Sequence, residues 1–234
     1  MGRFEDTKYT KRYQIYSREL EHVFEEKDLG VIVDSDLSFE EHISAKVRIA
    51  NAMVGLLRRS FSYLSPQVFR KLYLSLVRPH LEYAQTVWSP HSRKLIKMIE
   101  NVQIRATKLV DGLGSVDYQE RLQRLKLPTL LHRRIRGAMI ELYKHFTIYP
   151  KETTSDAFQQ RERQTRPHSL QIVEREPKDG TTGVQSNFFY FKFARTWNNL
   201  PSTVVSASSI NVFKNLLDKH WEHQPTVYDI NPVV

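Results

Sequence analysis

From Ser38 onward the sequence has a helical apolar period, and this constrains the fold more than any other feature. Ile43, Val47, Ala50, Val54, Leu57 and Phe61 recur at alternating steps of four and three. At about 100° per residue they share one narrow face, with Arg48 and Arg59 opposite. Ser38 and Glu41 have capping-box spacing ahead of it. Ser65-Pro66 opens a second helix with proline at its first position, and Phe69, Leu72, Tyr73 and Leu76 are its apolar side. Pro79 interrupts that helix, and Leu81 to Trp88 resumes it after a kink. A third helix is predicted over Ser92 to Val110, ended by Asp111-Gly112-Leu113-Gly114. Asp117 caps a short helix, with Glu120 three residues on and Arg121 in pairing reach. Thr129 caps another, with Leu131, Ile135, Ala138 and Leu142 inward and Arg133, Arg136 and Lys144 outward.

The ends of the chain differ. Tyr13-Gln14-Ile15-Tyr16 and Leu20-Glu21-His22-Val23 alternate as short strands about a turn at Ser17-Arg18-Glu19. Leu29-Gly30-Val31-Ile32-Val33 is a third strand candidate. Three short strands alone make a poor domain, so they suggest the edge of a larger sheet. Residues 147–186 are polar, of mixed charge, and hold three of the ten prolines; they are read as a flexible loop. A helical face returns through Phe188-Phe189, Phe193 and Trp197 and stops at Leu200-Pro201. Ser209 caps a last helix carrying Val212, Phe213, Leu216, Leu217 and Trp221, and the tail from His223 has no period. The expected architecture is mainly α, in five parts. A β remnant over 1–37 precedes a helical bundle over 38–146 and the loop over 147–186. A C-terminal helical segment over 187–222 and a tail over 223–234 follow.

Charge narrows the function classes. The chain has a net charge of +9. Residues 1–43 are net −5, residues 44–145 net +13 and the remainder +1. A basic middle block of this kind commonly faces a polyanion. Its densest expression is the helix from Ser92. Leu95, Ile99, Val102, Ala106 and Leu109 form its apolar stripe; Lys94, Lys97, Asn101, Arg105 and Lys108 form a second stripe with Glu100 off its edge. From Lys94 to Lys108 is about 21 Å of helix, a length over which a duplex presents several phosphates. The plain alternative is a solvated helical surface.

Other chemistries find no support. The chain has no cysteine, which removes disulfides, thiolate metal sites and thiol catalysis. No Gly-Lys-Ser/Thr phosphate loop or His-Glu-x-x-His zinc motif occurs. Asp34-Ser35-Asp36 fits a helix-capping role better than a metal site. No cofactor is expected. Nothing approaches the roughly 18 apolar residues of a membrane span, and the first residues do not read as a signal peptide. The expectation is therefore a soluble, intracellular protein.

Several runs resemble a known family. Glu26-Lys27-Asp28-Leu29-Gly30-Val31 with Asp36-Leu37-Ser38-Phe39, then Leu56-Leu57-Arg58-Arg59-Ser60-Phe61, begin the likeness. Val77-Arg78-Pro79-His80-Leu81-Glu82-Tyr83-Ala84 is its most specific part, followed by Val87-Trp88-Ser89-Pro90 and Ile99-Glu100-Asn101-Val102-Gln103. Arg133-Arg134, Arg136-Gly137, Trp197-Asn198 and Leu200-Pro201 extend it over nearly the whole chain. These runs resemble the region after the catalytic palm in jockey-like non-LTR retrotransposon reverse transcriptases. The departures are local: Ala138 stands where the family often has Asp, and Pro167 where Gly is usual.

The resemblance implies the last palm strands, a helical thumb and a C-terminal extension, without the palm's Tyr-x-Asp-Asp signature. Two-metal phosphoryl transfer needs those carboxylates, so the chain alone is not expected to polymerise. The implied role is to grip an RNA–DNA or DNA duplex, with a polymerase palm in trans as a further expected partner and a nuclear location if functional. The expected phosphate contacts are Lys94, Lys97, Arg105 and Lys108, then Arg58, Arg59, Arg133 and Arg136. Two alternatives stand beside this: a part of a longer active polymerase whose start lies upstream, and a non-catalytic interaction protein or inert remnant.

Overall fold

The structure is a computed structural model and describes residues 13–21, 23–90, 92–148, 170–172, 189–222 and 224–230. The loop expected over 147–186 lies outside these, apart from 147–148 and 170–172.

The fold is mainly α, with two small antiparallel ribbons at its start. Strands β1 (Gln14–Ile15) and β2 (Arg18–Glu19) pair about Tyr16-Ser17. Strands β3 (Glu25–Asp28) and β4 (Val31–Asp34) pair about Leu29-Gly30, with Asp28 opposite Val31. Both residues of each turn have positive φ, as the tightest hairpin turns require. This corrects three expectations. Arg18 and Glu19 are in a strand rather than the turn, Leu20, Glu21 and Val23 lie in no strand, and Leu29-Gly30 is a turn. Strand β3 was missed because all four of its residues are charged and exposed, leaving no alternation to read. The second ribbon is docked on the bundle. Val31 is buried, the Ile32 amide donates to His42 Nδ1 at 3.2 Å, and the Tyr83 hydroxyl donates to the Leu29 carbonyl.

Helix α1 (Glu40–Ser60) buries Ile43, Val47, Ala50, Val54 and Leu57 as its period requires, while Phe61 stays 39% exposed. Its start is not the expected capping box. The Asp34 carboxylate accepts the amides of Asp36, Ser38 and Phe39, and Ser38 Oγ accepts the Glu40 amide. Burial pushes the Asp34 carboxyl up, but these amides together hold it below its usual range. Asp34 thus orders the turn that leads into α1 rather than capping the helix itself.

Helix α2 (Pro66–Leu72) begins as predicted, with Ser65 Oγ accepting the Val68 amide. It continues through one π turn (Tyr73–Val77) into α3 (Arg78–Glu82). The wider turn corrects the expected inner face: Val77 is fully buried and Leu76 is 39% exposed. Ala84, at positive φ, then breaks the chain before α4 (Gln85–Trp88). Helices α5 (Arg93–Thr107), α6 (Tyr118–Leu125) and α7 (Leu130–Thr147) follow, capped by Ser92, Asp117 and Thr129. After the undescribed stretch come α8 (Phe189–Asn198), the short α9 (Ser202–Val205) and α10 (Ile210–Trp221), capped by Ser209. A 3-10 turn (Pro225–Val227) lies in what was read as tail; its Val227 carbonyl accepts the Thr129 amide at the start of α7.

The interior holds two apolar clusters. One runs from Val31 to Leu130 through α1 to α6 and includes Phe69, Tyr73, Trp88 and Leu122. The other joins Ala138, Met139 and Leu142 of α7 to Phe193, Trp197, Phe213 and Trp221. Helix α7 therefore enters the first cluster by its N-terminal residue and the second by its C-terminal half.

Candidate nucleic-acid interface

Helices α1 and α5 form the basic face. Lys94 Nζ bonds Glu40 Oε1 at 2.8 Å, and Arg105 Nη1 bonds Asn51 Oδ1 at 3.4 Å. Both pairs are 54 residues apart in sequence, so the two helices run side by side in the same direction and in one register. Their apolar stripes turn inward together: Leu95, Ile99, Val102 and Ala106 are buried against the first cluster with Leu57, Val54 and Ala50. Extending the register places Gly55 level with Leu109. The Arg59 guanidinium lies 3.4 Å from where a Cβ on Gly55 would stand. Arg58 and Arg59, at the end of α1, are thus brought to the same end of the face as Lys108.

The eight predicted contacts divide sharply. Lys97, Arg105, Lys108, Arg58 and Arg59 are exposed, and among the described residues none has a carboxylate partner. Lys94 is exposed but paired with Glu40, which raises its ammonium pKa by hydrogen bonding and charge. Arg133 and Arg136 are not on this face. Arg133 makes a bidentate pair with Glu82 of α3, which Arg78 also contacts at 3.3 Å. Arg136 makes a bidentate pair with Asp218 of α10, at 2.5 and 2.8 Å. Both guanidinium groups are about three-quarters covered. They tie α7 to its neighbours, and period alone could not separate a free outward arginine from one facing another helix.

Sequence reasoning missed the polar interior beside the face. Glu100, Gln103 and Thr107 are fully buried on α5. The Glu100 carboxylate accepts the Tyr118 hydroxyl at 2.6 Å and the Leu130 amide at 3.0 Å. Gln103 accepts the Tyr73 hydroxyl at 2.7 Å and donates to Tyr118 Oη and the Pro128 carbonyl. Arg121 was expected in pairing reach of Asp117, four residues before it. It is instead buried and donates to Thr107 Oγ1, the Val116 carbonyl and the Ile104 carbonyl, while Arg124 takes Glu120. The network fixes the rotation of α5 about its axis and so the direction of its basic stripe. A signal existed: polar residues at steps of three and four beside an apolar stripe.

Among the described residues no group of three or more acidic or histidine side chains is placed to hold a metal, and no helix is long and apolar enough to cross a membrane.

No protein-family model matches the chain, and no solved structure matches it. An uncharacterized protein of Caenorhabditis elegans is 30% identical to it over 111 residues. That stretch is 46% of this chain and 56% of the worm protein, so the chain spans about half the length of the curated relative it matches.

Proposed function

We propose that this chain is a thumb-like module that grips a primer–template duplex by its phosphates, as the post-palm region of a retrotransposon-type reverse transcriptase, working in the nucleus. The observation that carries the reading is the parallel α1–α5 pair, whose exposed Lys97, Arg105, Lys108, Arg58 and Arg59 have no carboxylate partner among the described residues. Backbone contacts of this sort hold a duplex without reading its sequence. The apolar residues of the ribbons support a second, compatible reading, in which the chain is part of a longer polymerase. Ile15, Tyr16, Phe24 and Leu29 are all more than half exposed, as suits a surface covered by more polypeptide.

Anisotropy of a labelled RNA–DNA hybrid between about 50 and 200 mM salt tests the grip. Five phosphate contacts give a slope of log K against log salt near −4.5. Lys97→Glu with Arg105→Glu should lower that slope by roughly 2 units and weaken binding at every salt concentration. Unchanged affinity in that variant removes this face as the binding site and leaves the interaction-protein or remnant reading.

A further inference from the structure

Among the described residues, Arg134 is the one arginine of α7 left without a carboxylate in contact. It is 3% exposed, yet neither Nη1 nor Nη2 has a hydrogen-bond partner. A buried guanidinium with unmet donors is costly and rare. The two acids near enough to act on it are already engaged. Glu82 is held by Arg133 and Arg78, and Glu100 by Tyr118, Gln103 and the Leu130 amide. Arg134 lines a cavity of about 330 Å³ between α5, α7 and α8. A second cation lines the same cavity: Lys192, whose Nζ donates to the Ser89 carbonyl and hydroxyl at 2.9 and 3.1 Å and to the Pro90 carbonyl. These acceptors are neutral, so they hold the ammonium without balancing its charge. Ile96, Leu131, Ile135 and Phe193 make most of the remaining wall apolar, with Thr196 beside them.

We infer that this cavity is a binding site for a small ligand with an oxyanion head, carboxylate or phosphate, on an apolar body. The head takes the Arg134 nitrogens, which are closed off from solvent in this structure and turn into the cavity on binding, with the Lys192 charge beside it, and the body lies on the apolar wall. An oxyanion supplies the acceptors that the guanidinium lacks, in the bidentate geometry it favours. The cavity volume is of the size ligand pockets have, about 300 Å³ and upward. The electrostatics agree: burial lowers the Arg134 pKa to about 10, and burial with the Arg134 charge lowers that of Lys192 to about 7. A bound anion reverses both shifts. The site is separate from the α1–α5 face, and neither stands on the other.

Equilibrium dialysis of the whole chain against radiolabelled inorganic phosphate, acetate and octanoate tests this. The expected result is saturable one-to-one binding of at least one probe, weakened roughly tenfold or more in Arg134→Met. Binding of phosphate alone assigns a phosphate head; octanoate binding above acetate assigns a carboxylate on an apolar body. No saturable binding of any probe overturns the inference. So does affinity retained in an Arg134→Met chain whose circular dichroism shows it folded. If that variant does not fold, Lys192→Met decides: weaker binding supports the site, and unchanged binding overturns it.

Discussion

His42 and His132 show how burial sets chemistry residue by residue. Burial lowers the His42 pKa to about 4, with the Lys46 charge adding to it. Burial lowers His132 to about 4 as well; Asp218 opposes the shift and Arg136 and Arg133 add to it. In the fold both rings are neutral until about pH 4, whereas in the unfolded chain they take a proton near 6.5. Between those values the unfolded chain binds more protons, so stability falls as pH drops from 6.5 towards 4. His132 packs edge-on against Trp221 with ring centroids 5.7 Å apart. His132→Phe keeps a ring there and removes one titration. Urea midpoints at pH 6.5 and 4.5 should converge in His132→Phe relative to the native chain. An undiminished fall with pH would place the titration elsewhere. Neither histidine had a sequence signal, because a histidine gives no sign of its burial until a neighbouring element covers it.

At the scale of elements, most helix starts could be read in advance because each cap is a local bargain between one side chain and one amide. Asp117, Thr129 and Ser209 all cap as expected, and Ser65 and Ser92 cap the helices they were expected to open. What failed depended on distant partners. Strand β3 is held by β4 and not by its own charged residues. The inner face of the second helix depends on the π turn. Phe69, Tyr73, Val77 and Leu81 are each four residues apart and all buried. In a regular helix each such step advances about 40°, so the fourth residue would be turned about 120° off the core. The π turn at Tyr73–Val77 takes up that drift just before Pro79, which has no amide to donate to the preceding turn. Ser75 Oγ donates to the Lys71 and Leu72 carbonyls within it. Val77→Ala should therefore cost roughly 2 kcal/mol in urea unfolding, and Leu76→Ala less than about 0.5 kcal/mol. The reverse order would mean that the helix is regular there.

Over the whole molecule, charge sorts into two uses. The basic stripe of α5 was legible because it runs beside an uninterrupted apolar stripe on one helix. Arg133 and Arg136 of α7 also point outward by period but lie between the two apolar clusters, where their partners come from residues 51 and 82 positions away in sequence. No local pattern reports such a partner. On the proposed reading, stability and duplex binding rest on different cations. Arg133 and Arg136 hold α7 to α3 and α10, so Arg133→Ala with Arg136→Ala leaves Glu82 with only Arg78 and Asp218 without its arginine. Between the value of an exposed ion pair and that of a buried charged hydrogen bond, each of these half-covered pairs is worth about 1 kcal/mol, and in a chain of this size each kcal/mol moves Tm by about 2–4 °C. The double variant should melt several degrees lower. If the duplex lies on α1 and α5 alone, its salt slope for an RNA–DNA hybrid, measured well below Tm, should equal that of the native chain. Lys97→Glu with Arg105→Glu should do the opposite, lowering the slope while Tm holds. A reduced slope in the α7 variant would mean that those two arginines release their carboxylates to meet phosphate, and that the duplex extends across the junction of the two clusters.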